Sequence, residues 1–372
     1  MKLFQRLLVA PAVLGLIAPF TAKATEVNLD AISNYHKDNI DINSKSFISN
    51  TENKELLLSG GEGLVETTTV DSVKEDSFSS TTSASFGSTF YVGAVDGGTV
   101  GDPAVAAEAV TFTYDFAMDL STTFTGDDSF DVAIIGGNAG TTAVDGFMGG
   151  DDTTDALVLD GVSYTFPLGG ATVIVGDGVG VDDMNTGACA YSAFTDLLSD
   201  CGTSNVGGSA DSAIAIGYDF GNGFTVAGGV GGGDSTAGYF TEQDASTIGL
   251  EAAYTTDLYG VSVAYTDDED TTYWSLQAMM APEGYPTISI GFETDDDEND
   301  AIFAGLTFDE VGPGSVSLGV ASTDLSADDY YQYELSYSYP LNDAMTITPG
   351  VFLAETSTED DTGVVVTTSF SF

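Results

Sequence analysis

Residues 330–339 constrain this chain most. Tyr331, Tyr333, Leu335, Tyr337 and Tyr339 fall on one parity, and Gln332, Glu334, Ser336 and Ser338 on the other. That period of two describes a strand with one apolar and one polar face. A turn over 340–344 leads into a second alternating run, 345–353. After acidic residues 355–361 comes a third, with Val364, Val366, Thr368, Phe370 and Phe372 on one face. Strands of an outer-membrane barrel place alternate apolar residues in lipid and polar ones in the lumen. The predicted fold class is therefore all-β: a transmembrane antiparallel β-barrel.

From residue 85 onward the pattern repeats as strand, short turn, strand, long connection, and gives about sixteen strands, an even number as expected of single-chain bacterial barrels. Short turns such as 125–128, 221–222 and 340–344 alternate with longer stretches such as 96–108, 138–155 and 177–210. One rim is then periplasmic and the other extracellular, with the long set outside. The segment 156–166 fits least well, because Asp160 shares the parity of Val158, Val162 and Tyr164.

The first 24 residues carry Lys2 and Arg6, an apolar run over 7–20 broken by Pro11 and Pro19, and Ala22-Lys23-Ala24. This reads as a secretory signal peptide, too short for the roughly 20 apolar residues of a membrane span. Residues 25–83 are polar, lack a period and hold His36, Lys37, Lys45, Lys54 and Lys74, which suggests a flexible periplasmic segment with a short helix around 53–58. Residues 84–372 form the barrel domain.

Charge separates the function classes. The chain has 58 acidic residues against 7 basic ones, and after Lys74 there is no Lys, Arg or His. Nucleic acid is excluded as a partner, since no cation is available for phosphate. With His36 alone, no catalytic triad can be assembled, and no enzyme activity is expected. If the apolar parity faces lipid, the pore-lining acids are Asp115, Asp119, Asp131, Asp219, Glu251, Glu293 and Glu334. With no basic residue opposite them, they predict a preference for cations.

The longest connection, 177–210, contains the only two cysteines, Cys189 and Cys201, which read as a disulfide in an exported protein. One reading folds this loop into the barrel as a constriction, with Asp182, Asp183, Asp196 and Asp200 near the narrow point; the other leaves it on the surface. Acidic clusters at 267–270 and 295–300 offer oxygen ligands to loosely bound Ca²⁺ or Mg²⁺ at the outer rim. They lack the EF-hand order and read first as solvated loops, so no resident cofactor or metal is expected.

Four segments carry a resemblance: 1–11 (MKLFQRLLVAP), 25–35 (TEVNLDAISNY), 159–167 (LDGVSYTFP) and 218–224 (YDFGNGF). They resemble cyanobacterial outer-membrane porins, the type labelled iron-uptake porin or grouped with carbohydrate-selective porins. The resemblance implies a sixteen-stranded porin, a homotrimer in the outer membrane among its lipids, passing inorganic ions and small solutes; with the acidic lumen, inorganic cations are the expected partners among the ions. A cysteine pair in a long loop is similar too. Residues 36–83 are too short for the S-layer-homology domain and coiled coil usual in such proteins, and lack heptads. Beside general diffusion stand a solute-specific channel, for sugar or for iron and other metal ions, and a secreted β-sandwich acting as an adhesin or surface protein.

Overall fold

The computed structural model describes residues 81–97, 109–140, 142–207, 212–232, 246–268, 271–297, 299–323, 330–356 and 360–372. All belong to the second of the chain's two units, Asp76–Phe372. The expected signal peptide and most of the segment 25–83, including the helix around 53–58, lie outside the described residues.

The described residues form sixteen strands: β1 Thr82–Asp96, β2 Thr111–Thr122, β3 Ser129–Gly137, β4 Val158–Leu168, β5 Ala171–Asp177, β6 Ser212–Asp219, β7 Phe224–Gly232 and β8 Ser246–Thr255. The second half holds β9 Tyr259–Asp267, β10 Thr272–Met280, β11 Thr287–Asp295, β12 Asp300–Val311, β13 Gly314–Thr323, β14 Tyr330–Asn342, β15 Met345–Ala354 and β16 Asp361–Ser371. Each pairs antiparallel with its sequence neighbours, and β1 closes on β16 from Gly87↔Ser371 to Asp96↔Thr362. At this seam Phe86 and Phe372 exchange backbone hydrogen bonds of 2.8 and 3.0 Å and stack their rings at 5.7 Å. Closure leaves no free edge. It also overturns the secreted-sandwich alternative, because the strands make one ring and not two packed sheets.

Alternation decides which face is which. On β8, Ile248 and Leu250 are exposed while Thr247, Glu251 and Ala253 are buried; on β11, Ile290 and Phe292 face out and Ser289 and Glu293 face in; on β14, Tyr333 and Leu335 face out and Glu334 and Ser336 face in. The outer wall is thus a belt of large apolar side chains, unfavourable in water and matched by hydrocarbon. No helix among the described residues is long and apolar enough to cross a membrane.

The difficulty at Asp160 resolves as a bulge. Ala133 pairs with Gly161 and Ile134 with Leu159, so Asp160 has no partner in the register. The extra residue lets Val162 and Leu159 both follow the outward row. Short turns use residues that tolerate positive φ: Gly221 and Gly223 sit at 75° and 87°, and Asp219 Oδ1 accepts the Gly221 N–H at 2.7 Å. At the β2–β3 turn, Asp128 Oδ1 accepts from Thr123 Oγ1, Phe124 N–H and Thr125 N–H at 2.7, 3.0 and 2.8 Å. Those bonds, led by the backbone donor of Thr125, hold its carboxyl well below the usual range.

The orientation makes a testable contrast. Leu250→Arg, on the outward face, should cost about 2–4 kcal/mol near mid-membrane, whereas Ala253→Ser, one step inward, should cost little. Denaturant folding titrations in lipid vesicles measure both, and equal costs would mean that the faces are wrongly assigned.

Candidate functional site: the lumen and its inserted loop

The described part of the connection from β5 to β6, residues 178–207, enters the barrel and lies on the inner wall. Its outbound arm crosses successive strands. The N–H groups of Thr186 and Gly187 reach Glu251 on β8 at 2.6 and 3.0 Å, Ala188 N–H reaches Gln277 on β10 at 2.8 Å, and Ala190 N–H reaches Ser289 on β11 at 3.1 Å. At the far end Tyr191 OH, Phe194 N–H and Thr195 N–H and Oγ1 converge on Glu334 of β14 at 2.8, 2.7, 2.8 and 2.6 Å. Burial, with the Glu334 carboxylate beside it, pushes the Tyr191 phenol up and keeps it a donor.

The return arm passes through two 3₁₀ turns, Asp196–Gly202 and Ser204–Gly207. Gln277 Nε2 donates to Asp200 O and Thr203 Oγ1 at 2.9 and 2.8 Å. Asn205 N–H and Nδ2 donate to Glu293 of β11 at 3.1 and 2.6 Å, and Thr266 of β9 donates to the Val206 carbonyl. The Cys189–Cys201 disulfide ties the two arms together, Cα atoms 5.9 Å apart. A ring of this size restricts the unfolded chain by about 3 kcal/mol in the chain-entropy model.

Apolar contacts seat the loop as well. Tyr191, Leu198 and Cys201 pack on Phe303 and Ala321, while Val179 and Val181 pack on Ala213. The wall is hollowed to receive it: a Cβ on inward-facing Gly229 or Gly249 would meet Val181, on Gly291 the Cys201 carbonyl, on Gly305 or Gly319 Tyr191, and on Gly350 Phe194. A second insertion, residues 138–157, carries the single-turn helix α1, Asp145–Met148. Its Val144 and Phe147 join Val95, Phe352, Val365 and the loop's own Phe194, with the Phe147 and Phe352 rings 4.6 Å apart. Asp145 is buried and accepts from Thr113 Oγ1 at 2.6 Å and Thr142 N–H at 3.1 Å.

The seven expected pore acids divide. Asp119 and Asp219 are exposed near the short-turn rim, and Asp131 takes a 2.6 Å bond from Ser129 Oγ. Asp115 is half-buried and accepts Tyr91 OH at 2.5 Å and Asp151 N–H at 2.8 Å. Glu251, Glu293 and Glu334 are only 7, 3 and 2 % exposed. They face inward as expected, but the loop covers them, so they are not uncompensated charges at an open surface.

Of the loop acids, Asp182 and Asp200 border a cleft of about 260 Å³ with Glu251, Gln277 and Thr203, Asp183 is only partly exposed, and Asp196 lies beside Gly149 after α1. Burial pushes the Asp200 carboxyl up, with Asp182 and Asp196 adding to it; burial and Asp182 do the same to Asp183. On the short-turn side of the loop is a chamber of about 500 Å³ lined by hydroxyls including Thr307, Ser317, Ser336 and Thr348, with Asp309 as its carboxylate.

In the rim clusters, Asp268 accepts Thr271 N–H and Asp295 accepts Asp297 and Asn299 N–H, as turn-capping groups; residues 269, 270 and 298 lie outside the described residues. Among the described residues no group of three His, Cys, Asp or Glu is placed to hold a metal ion.

The glycine trench can be probed directly. Gly291→Leu should cost about 1–3 kcal/mol through overpacking against the Cys201 carbonyl, and should expose the amides of 199–203 to hydrogen exchange. Ile290→Leu, on the lipid face, should leave both unchanged.

No protein-family model matches the chain, and no curated protein matches it in sequence. Solved structures do. A high-pH structure of Pseudomonas putida OprB superposes with TM-score 0.61 at 13 % identity, covering 78 % of this chain and 94 % of that one. A mutant of Rh. blastica porin gives TM-score 0.54 at 16 % identity, covering 78 % of this chain and 100 % of that one. At such identities the likeness establishes the fold, which is that of bacterial porins.

Proposed function

We propose that the chain is an outer-membrane porin giving passive, cation-preferring diffusion of inorganic ions and small hydrophilic solutes. The observation that carries this reading is a closed barrel, apolar outside, whose lumen holds a pinned loop and no basic side chain among the described residues. A water-filled barrel with an inserted loop passes what fits through the space that remains, and fixed charge biases which ions enter. The constriction is formed by residues 178–207, and its field comes from Asp182, Asp183, Asp196 and Asp200 together with the exposed wall acids Asp119 and Asp219. The N-terminal 24 residues direct export, the long connections face outward, loosely held Ca²⁺ or Mg²⁺ bridges rim acids, and the barrel assembles as a homotrimer.

A second reading, a solute-specific channel, draws on the hydroxyl-lined chamber below the loop, since hydroxyls both donate to and accept from a neutral polar solute. Saturable block of the current by one sugar or metal ion would favour it.

Refolded mature protein in a planar bilayer under a salt gradient should show channels whose reversal potential lies on the cation side. Asp182→Asn, Asp183→Asn, Asp196→Asn and Asp200→Asn together should move that potential towards zero with conductance near wild type. A potential at zero in the wild type would sink the acidic-lumen argument.

Acid adds a signed test. Because Asp183 and Asp200 are raised, they take up protons as pH falls before an ordinary aspartate near about 3.9 does. Cation preference should begin to decline above that range, and the decline should shift to lower pH in Asp183→Asn with Asp200→Asn.

A further inference from the structure

Three glutamates stand at regular intervals on the inner wall: Glu251 on β8, Glu293 on β11 and Glu334 on β14. A buried carboxylate needs a cation or a full set of hydrogen bonds. This sequence holds no Lys, Arg or His after Lys74, so the barrel has no cation to offer. Each glutamate takes its bonds from one segment, residues 178–207. Glu334, at 2 % exposure, accepts four: Tyr191 OH and Phe194 N–H on Oε1, and Thr195 N–H and Oγ1 on Oε2. The exchange is mutual. An irregular segment has no ladder to satisfy its N–H groups, and Thr186, Gly187, Phe194, Thr195 and Asn205 all find their acceptor in one of these three side chains.

We propose that Glu251, Glu293 and Glu334 are positioning residues that latch the loop to the wall and so set the calibre of the channel, with Glu334 holding the tip. The proposal rests on the channel reading above. It assigns these acids a role different from the loop aspartates: they act on permeation through where they hold the loop, while charges at the open surface act on the ions. The wall behind the loop agrees, because Gly305 and Gly319 leave room there for Tyr191, with Leu198 also over Gly319, and Gly350 leaves room for Phe194. With the latch released, the segment between the disulfide cysteines is held by apolar packing, by Ala190 on Ser289 and by Gln277 on the Asp200 carbonyl, leaving Phe194 and Thr195 without their acceptor.

The test compares Glu334→Ala with Glu334→Gln in single-channel recordings, with hydrogen exchange at the Phe194 and Thr195 amides as a readout independent of conduction. Glu334→Ala should lose protection at both amides and raise conductance on the order of twofold, since current follows open cross-section. Glu334→Gln keeps a carbonyl oxygen for Tyr191 and Phe194 but turns a donor towards Thr195, so it should restore protection at the Phe194 amide and not at Thr195, and bring conductance back towards wild type with the reversal potential near wild type. Equal loss of cation preference in both variants, at unchanged conductance, would make Glu334 a pore charge and overturn the proposal. So would unchanged amide protection in Glu334→Ala.

Should Glu334→Ala fail to assemble, Tyr191→Phe with Thr195→Val removes two donors from the loop side and should shift the same two readouts in the same direction; no shift there overturns the latch. Absence of any current from folded wild type, with protection still lost in Glu334→Ala, would sink the channel reading and leave the latch standing.

Discussion

In hydrocarbon every backbone N–H and C=O must find its partner inside the protein, and here the pairing of β1 with β16 completes that requirement. All else follows from the ring it closes. With no edge to protect, strand sequence is free to alternate strictly, and the outward row can be as greasy as Ile214, Ile216, Leu250 and Leu335 make it. The inward row is polar or small where it faces water, and carries Phe303, Phe352 and Val365 where the inserted segments pack on it. Phe86, Phe90, Phe112, Phe370 and Phe372 cluster across the seam, with Phe90 5.5 Å from Phe112 and 5.8 Å from Phe370. The joint between the first and last strands is thereby covered by aromatic packing as well as by the ladder.

The interior obeys a second constraint, the lack of any cation beyond Lys74. A loop inside most proteins can be held by ion pairs; here only carboxylates, amides and hydroxyls are available. The structure sorts its acids accordingly. Those that touch backbone donors, such as Asp128, Asp145, Asp219 and Glu334, become anchors for turns and loops, while others, such as Asp119, are left exposed. Carboxylates thus do the holding that cations share in other interiors.

That division explains what could be read from the sequence. All sixteen strands were legible because lipid on one side and water on the other impose a period of two, and only strand ends moved, as at β16, which begins at Asp361, inside the acidic stretch 355–361. Asp160 was misleading because a bulge breaks that period locally. The inward parity of Glu251, Glu293 and Glu334 was legible, but their burial was not, since it depends on a loop whose bonding residues lie 64 or more positions away. A signal existed nonetheless: Gly229, Gly249, Gly291, Gly305, Gly319 and Gly350 all fall on inward positions. Glycine weakens a strand unless something must approach the backbone closely. The helix α1 had no such signal, because four residues are too few for a period.

The reach of the loop makes the anchor at Glu334 the decisive one. From β8 to β14 the wall spans six inter-strand spacings, about 29 Å at roughly 4.8 Å each. The outbound arm covers that span between Thr186 on Glu251 and Thr195 on Glu334, and nine residues fully extended reach about 30 Å. The curvature of the wall and the inward reach of the glutamate side chains shorten the path, so the arm is long enough to cross. It stays drawn along the wall only if both ends are fixed. Its near end continues directly from β5 and is bonded again at Thr186, so the far end alone needs a dedicated hold. Four hydrogen bonds on one buried carboxylate provide it, and the disulfide between Cys189 and Cys201 makes the return arm follow. The position of one glutamate on β14 thus determines how far across the barrel the loop extends.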